Sequence, residues 1–344
     1  MRYEVKILNP AQVDNWNNII KELGGSIFHT VNWYQVLEEC YGYKANYFGV
    51  FDGEKVVGVI PIVGIDSFLT GKRGVSLPFS DYCPVLLEEG FDTKAIISDI
   101  MDFGRKNGWK SVEFRGLNCP KSQDLVSDSY YVHQINLEPP YEEILKTFNR
   151  KNRMNIKKSV KNNIQVVREN TRELITKFYQ LNCKNKKKNG VPPAPLAFYM
   201  KIYEHIIEKG LGNIFVAKLN GDVISMGIVF HFRGQVLMKY LAQDYRYQQF
   251  RPNNALINEI IKFYAGSTWK VFCFGRTAMH NTGLHQFKKG WGTQVGTLDY
   301  HKINLESKTK SSYGQIHRSK EKYFSKMPLW MLKMIGNVMY KHIG

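Results

Sequence analysis

Two stretches of the chain repeat the same order of local signals. Tyr47–Phe51, Asp52-Gly53 and Val56–Val63 read as strand, tight turn and strand, because Asp-Gly supplies the positive φ angles that a two-residue hairpin needs. Ile214–Leu219, Asn220-Gly221 and Val223–Phe232 repeat that unit 168 residues later. After each hairpin come a loop, a helical segment (about 93–106 and 255–265) and a strand that opens on Trp-Lys: Trp109–Phe114 and Trp269–Phe274, 160 residues apart. The change of offset puts loops of different length between matched pieces, the pattern of a duplicated domain rather than of a short solenoid repeat. The fold class that follows is α/β (α+β): two domains of like topology, each a mixed twisted sheet flanked by helices.

A chain of 344 residues has room for two such domains. The reading sets a first domain at 1–145, a basic helical linker at 146–190, a second domain at 191–305 and a basic amphipathic tail at 306–344. Within the linker, Ile144, Phe148, Ile156 and Val160, then Leu174, Phe178 and Leu181, recur at helical spacing. Gly190–Pro195 carries three prolines and reads as a rigid loop, followed by a helix from about Leu196 to Lys209 closed by Gly210. No stretch approaches the apolar length of a membrane span, and residues 1–10 lack an apolar signal core, so a cytoplasmic protein is expected. The five cysteines (Cys40, Cys83, Cys119, Cys183 and Cys273) are scattered and never form CxxC, which argues against a disulfide framework or a structural zinc site. No metal is expected.

The net charge of +18 is local. Residues 150–188 hold thirteen Lys/Arg against Glu169 and Glu173, residues 301–344 hold nine against Glu306 and Glu321, and the remainder balances. Such concentrated fields attract polyanions: tRNA, nucleotide diphosphates or the acidic face of a membrane. A solvated, solubilising surface is the alternative reading.

The succession RKNRMNIKKSVKNN (150–163), KNGVPPAPLAFY (188–199), FRPNNALINEIIKF (250–263), FGRT (274–277) and GLHQFKKGWGTQVGTLDY (283–300) resembles the FemAB-type acyltransferases, relatives of the GNAT superfamily, over nearly the whole span from Phe28 to Tyr300. The resemblance implies two tandem GNAT-like domains. It also implies transfer of an acyl or aminoacyl group from an activated carrier, aminoacyl-tRNA or acyl-CoA, to an amine of a cell-envelope precursor such as a peptidoglycan or surface-glycan unit. No tightly bound cofactor is implied.

Phe287-Lys288 matches the family's Phe-Lys motif, which implies that Lys288 lies against the donor and stabilises the oxyanion. Aminolysis of an ester or thioester builds negative charge on the carbonyl oxygen, and a fixed cation in a dry cleft stabilises it. Arg251, Asn253 and Asn254 precede the second helix, where the superfamily presents N–H groups to the donor's pyrophosphate, and Arg276 ends the strand entering the cleft; these four are the expected donor-binding set. Asp81 matches the acidic position near the acceptor amine and would accept its proton, with His285 as a rival base. Tyr82, Arg150, Arg153 and Tyr240 form the expected acceptor-binding set. Two departures stand out. The glycine-rich loop of ordinary GNAT enzymes is missing, which argues against a simple acetyl-CoA reading, and Asn32–Glu38 lacks the lysine of members acting on UDP-linked muropeptides.

The tail ends in MPLWMLKMIGNVMYKHIG (327–344), with apolar positions at Met331, Ile335, Val338 and Met339 beside Lys333, Lys341 and His342, and a basic run of Arg318, Lys320, Lys322 and Lys326 before it. It fits either an interfacial helix on an anionic membrane or a helix docked on its own domain. Two further readings stay open: an acetyl-CoA-dependent N-acetyltransferase of an amino sugar, and a non-catalytic tRNA- or membrane-associated scaffold.

Overall fold

The computed structural model describes residues 3–117, 126–306 and 323–343; Cys119, Arg318, Lys320 and Lys322 lie outside them. The chain gathers into two units, the first holding the chain up to Ser129, the return from Leu298 and the end from Val338, the second holding Tyr130–Thr297 and the stretch up to Asn337.

The first unit runs β1 (Glu4–Leu8), α1 (Trp16–Glu22), α2 (Val31–Tyr41), β2 (Ala45–Asp52), β3 (Lys55–Ile65), β4 (Arg73–Val75), β5 (Leu86–Leu87), α3 (Thr93–Lys106) and β6 (Ser111–Arg115). Its sheet orders β1-β2-β3-β4-β6, with every neighbour antiparallel except the parallel β4–β6 pair at Gly74↔Val112. The far edge of β6 is taken by residues 300–304, Tyr300 opposite Arg115 and Asn304 opposite Ser111. Helix α3 begins where the Asp92 side chain accepts from the N–H groups of Lys94 and Ala95. It turns Ile96, Ile97 and Ile100 onto the core with Phe48, Ile60, Ile62, Val112 and Phe114. Trp109 fills this layer by lying on Gly74 and Gly104, where any Cβ would meet its ring within 3 Å. The first hairpin turns on Gly53-Glu54, since Asp52 pairs with Lys55 in the ladder, one residue later than Asp-Gly alone suggests.

Strand β7 (Val126–Asn136) starts in the first unit and passes to the second at Tyr130. Then follow α4 (Tyr141–Thr147), α5 (Arg150–Lys161), β8 (Gln165–Arg168), α6 (Arg172–Lys188), α7 (Leu196–Ile202) continued by a π-helical turn at Tyr203–Ile207, β9 (Gly212–Leu219), β10 (Asp222–Phe232), β11 (Gln235–Gln243), α8 (Pro252–Tyr264), β12 (Val271–Ala278), α9 (Thr282–Lys289), β13 (Gln294–Asn304) and α10 (Leu329–Ile343). The second unit's strands order β8-β9-β10-β11-β12-β7, again antiparallel except for one pair, β11–β12. Both units thus share one sequence of pairings, as the repeated hairpins predict. The Asn220-Gly221 hairpin forms as read, with φ of 51° and 85° at its two loop residues.

The structure divides the chain differently from the sequence reading. Residues 146–190 are not a linker between two domains: β8 pairs with β9 from Gln165↔Lys218 to Arg168↔Phe215, and Phe148 and Ile156 enter the core around Phe274 and Trp291. The sixth strand of each sheet also comes from the distant half of the sequence, β13 for the first unit and β7 for the second. Both differences have one cause: ladder pairing is non-local, whereas the hairpin and helix signals are local.

Candidate active site

The second unit's sheet opens on one side. β11 and β12 pair only over Gln235↔Val271 to Leu237↔Cys273, so the rest of each strand runs on without the other. Just past that point the β12–β7 register shifts between Cys273 and Arg276, a bulge that spans Phe274-Gly275 with Gly275 at φ 70°. In a regular strand successive carbonyls point opposite ways; a bulge lets two neighbours face one side. Here the carbonyls of Gly275 and Arg276 both accept from Lys288 Nζ, at 3.0 and 3.2 Å.

Helix α9 delivers that lysine. Asn281 caps it by accepting from Leu284 N–H, and its last turn puts Lys288 inside the protein, only 6% exposed. One turn back, His285 faces the same sheet: its Nδ1 lies 3.2 Å from His133 Nε2 on β7, and its ring sits 4.2 Å from that of Tyr131. Burial, the nearby Lys288 charge and His285 together push His133 down to about 4, so its imidazole is neutral at physiological pH. Phe287 turns the other way and packs against Trp291 in the core, which fixes the rotation of α9.

Two buried polar atoms beside this cluster lack a protein partner, His133 Nδ1 and Thr277 Oγ1. Native proteins leave few such atoms, and ligand or water usually completes their bonding. Thr277 stands opposite Tyr131 in the β12–β7 ladder, next to the residues that hold Lys288.

The expected donor residues meet mixed fates. Arg251 takes a left-handed φ of 64° immediately before α8, the turn that lets Pro252 start the helix. The side chains of Asn253 and Asn254 are engaged in the protein: Asn253 Oδ1 accepts from Ser225 Oγ at 2.7 Å, and Asn254 Nδ2 donates to Asn152 Oδ1 at 3.2 Å. They fix the start of α8 against β10 and α5. Arg276 lays its guanidinium over the Tyr130 ring, 4.6 Å from the centroid. Tyr240 packs in an aromatic group with Phe178, Tyr199 and Phe230.

Arg150 and Arg153 lie on the exposed face of α5, together with Lys151, Lys157, Lys158 and Lys161; Arg153 also donates to the Lys146 carbonyl. Asp81 and Tyr82 belong to the first unit. The Asp81 carbonyl accepts from Tyr300 Oη at 2.7 Å, and the Tyr82 ring lies on Gly116, where a Cβ would meet it at 2.5 Å. Their loop is held by Arg115, a buried guanidinium that pairs with Glu113 and donates to the carbonyls of Leu77 and Ser80. The structure therefore brings Lys288, His285 and the Arg276 carbonyl together, turns the expected catalytic Phe287 away into the core, and adds His133, which the sequence reading missed. No linear motif announces His133: it meets His285 across 152 residues of chain.

A family model described as "Acetyltransferase (GNAT) domain" matches residues 148–289, the stretch that contains α5, the splayed strands and α9. No curated protein sequence matches the chain. Among solved structures, FemX is similar over 86% of this chain and 96% of its own, with a TM-score of 0.66 at 14% identity. A tandem GNAT protein from the clavulanic acid biosynthesis pathway is similar over 90% and 100%, with a TM-score of 0.55 at 8% identity. L-PGS from Bacillus licheniformis is similar over 88% and 94%, with a TM-score of 0.55 at 12% identity. The chain thus carries a match to an acetyltransferase (GNAT) domain at residues 148–289, and its fold is similar to that of FemX and of a tandem GNAT protein.

Proposed function

We propose that this protein is a transferase that moves an aminoacyl or acyl group from an activated ester or thioester carrier to an amine of a cell-envelope precursor. The observation that carries this reading is Lys288: a buried ammonium positioned by two bulge carbonyls, beside a neutral imidazole. Aminolysis needs both elements. As the amine attacks, the carbonyl oxygen becomes an oxyanion, which the fixed ammonium stabilises more than it stabilises the neutral ester. The attacking amine sheds a proton, and His133 accepts it and passes it to His285, which is partly exposed. The base role expected of Asp81 is here given to the histidine pair, which shares a unit and a direct electrostatic interaction with Lys288.

The exposed basic face of α5 supports an anionic carrier or acceptor, tRNA being the carrier most favoured by such a surface. One solved structure with this fold is the C-terminal domain of a putative lysylphosphatidylglycerol synthetase, a name that states an aminoacylated product. Acetyl-CoA is the second reading, favoured by the description of the matching domain model. Against it stand the missing glycine-rich loop and the two asparagine side chains committed within the protein at the start of α8.

The test is calorimetric titration of the purified protein with acetyl-CoA, and separately with charged and uncharged tRNA, at two salt concentrations. Tighter binding of charged than of uncharged tRNA that survives high salt supports aminoacyl transfer. Saturable, salt-tolerant CoA binding moves the assignment to acetyl transfer, and failure of all three removes the donor assignment.

A further inference from the structure

Helix α10 is amphipathic in an inverted sense. Its inward side is fully engaged with the protein. Leu332 is buried, Gly336 packs so closely on the Pro193 carbonyl that a Cβ would come within 2.0 Å of it, and Lys333 sits over the Tyr179 ring at 5.1 Å. Further along, the Tyr340 ring stacks on Phe79 at 4.8 Å, Tyr43 Oη donates to the Lys341 carbonyl, and Arg73 donates to the His342 carbonyl. The side turned to solvent is the apolar one: Trp330, Met334 and Val338, spaced four residues apart on one stripe, are 63%, 60% and 58% exposed. Met331 and Ile335, the positions that spacing alone would bury, are only partly buried.

The helix and the residues leading into it are cationic and free of acid. Lys326 before the helix and Lys341 near its end are exposed, and residues 322–344 contain no Asp or Glu. Two aromatic residues extend the apolar surface at its ends: Tyr323, 72% exposed, and Phe68, 76% exposed, whose ring meets His342 edge-on at 4.6 Å. Among the described residues no helix is long and apolar enough to cross a membrane.

We propose that the outward face of α10 is a docking surface for an anionic lipid bilayer, on which the helix lies parallel to the membrane. Met334 and Val338 enter the acyl boundary, Trp330 and Tyr323 sit at headgroup level, and the lysines meet lipid phosphates, the combination that interfacial helices use. Because the opposite side already holds the helix on the protein, binding requires no coil-to-helix ordering. The inference stands apart from the transfer chemistry, since none of these residues belongs to the Lys288 site.

The test is co-sedimentation of the full chain with vesicles of phosphatidylcholine alone and of phosphatidylcholine with 30 mol% phosphatidylglycerol, at low and high salt. Binding to the anionic vesicles, weakened by salt, is expected. Replacing Lys326 and Lys341 with Gln lowers the partition coefficient about fivefold per lysine at low salt. The triple change Trp330→Ser, Met334→Ser, Val338→Ser lowers it at least tenfold while leaving the melting temperature unchanged, since all three side chains point to solvent. The proposal is overturned if the full chain ignores anionic vesicles, if the triple variant binds them as well as the parent, or if the triple change instead dissolves a dimer seen by light scattering, which would give the face to a second copy of the chain.

Discussion

Replacing Lys288 with Met removes the ammonium and keeps nearly the same stem, so it separates charge from packing. In the transition state the loss is that of one oxyanion stabiliser, about 100- to 1,000-fold in kcat, or roughly 3–4 kcal/mol. In the folded state two effects oppose each other. The carbonyls of Gly275 and Arg276 lose their bonds to a charged donor, roughly 1.5–3 kcal/mol each, while the cost of burying an ammonium, several kcal/mol, disappears. The two nearly cancel, so kcat falls steeply while stability changes by no more than about 2 kcal/mol. Steady-state acylation of an amine acceptor, read beside urea unfolding, checks both numbers. An enzyme that keeps more than a tenth of its kcat as Lys288→Met refutes the role assigned to this residue. Unfolding of the variant by more than about 5 kcal/mol shows that the lysine serves mainly to hold the bulge.

Stability declines as pH falls from about 6.5 to about 4, because buried His29 is held down to about 4 by burial; the unfolded chain takes up that proton first, a destabilising term on the order of 3 kcal/mol that vanishes above pH 7. Urea unfolding of wild type and His29→Gln across this range gives a shallower slope for the variant, by up to about 1.4 kcal/mol per pH unit; parallel slopes would discard the assignment. Reversing Arg150 and Arg153 to Glu flattens the salt dependence of tRNA binding, taking at least about two from the log–log slope if each contacts a phosphate, and an unchanged slope places the polyanion elsewhere. A fragment of residues 1–145 does not fold alone, since β6 lacks the strand that pairs with it along Ser111–Arg115; a cooperative melt of that fragment contradicts the division into units.

The parts of this fold that were legible in sequence are those fixed by neighbours in the chain. Asn220-Gly221 dictates its hairpin by the φ angles it tolerates, and helix α3 occupies 93–106 as its spacing predicts because Asp92 caps one end and the isoleucines all face one way. What could not be read is pairing between distant strands. Nothing near Val126 states that it starts a strand finishing in the other unit, and nothing near Gln165 states that it adds an edge to β9. The tail shows the same limit: periodicity shows that α10 is amphipathic, but Gly336, the one position small enough to touch the Pro193 carbonyl, decides which side faces inward.

The candidate site divides along the same line. Phe287-Lys288 is marked in the sequence only by the family motif it matches; in the structure the two residues take opposite directions from adjacent positions of one helix, the phenylalanine into the core and the lysine toward the sheet. FGRT stands out because Gly275 is the residue that permits the bulge, and the bulge is what turns two consecutive carbonyls toward one ammonium. His133 carries no such mark. Its strand neighbours are tyrosine, valine and glutamine, and its low proton affinity arises entirely from where the fold puts it: inside, beside a lysine delivered by the helix that also carries His285, 152 residues along the chain. Burial first and the field of Lys288 second keep the proton off His133, so under the proposed mechanism the ammonium that would stabilise an oxyanion also helps to hold the neighbouring imidazole neutral, ready to accept a proton from the attacking amine.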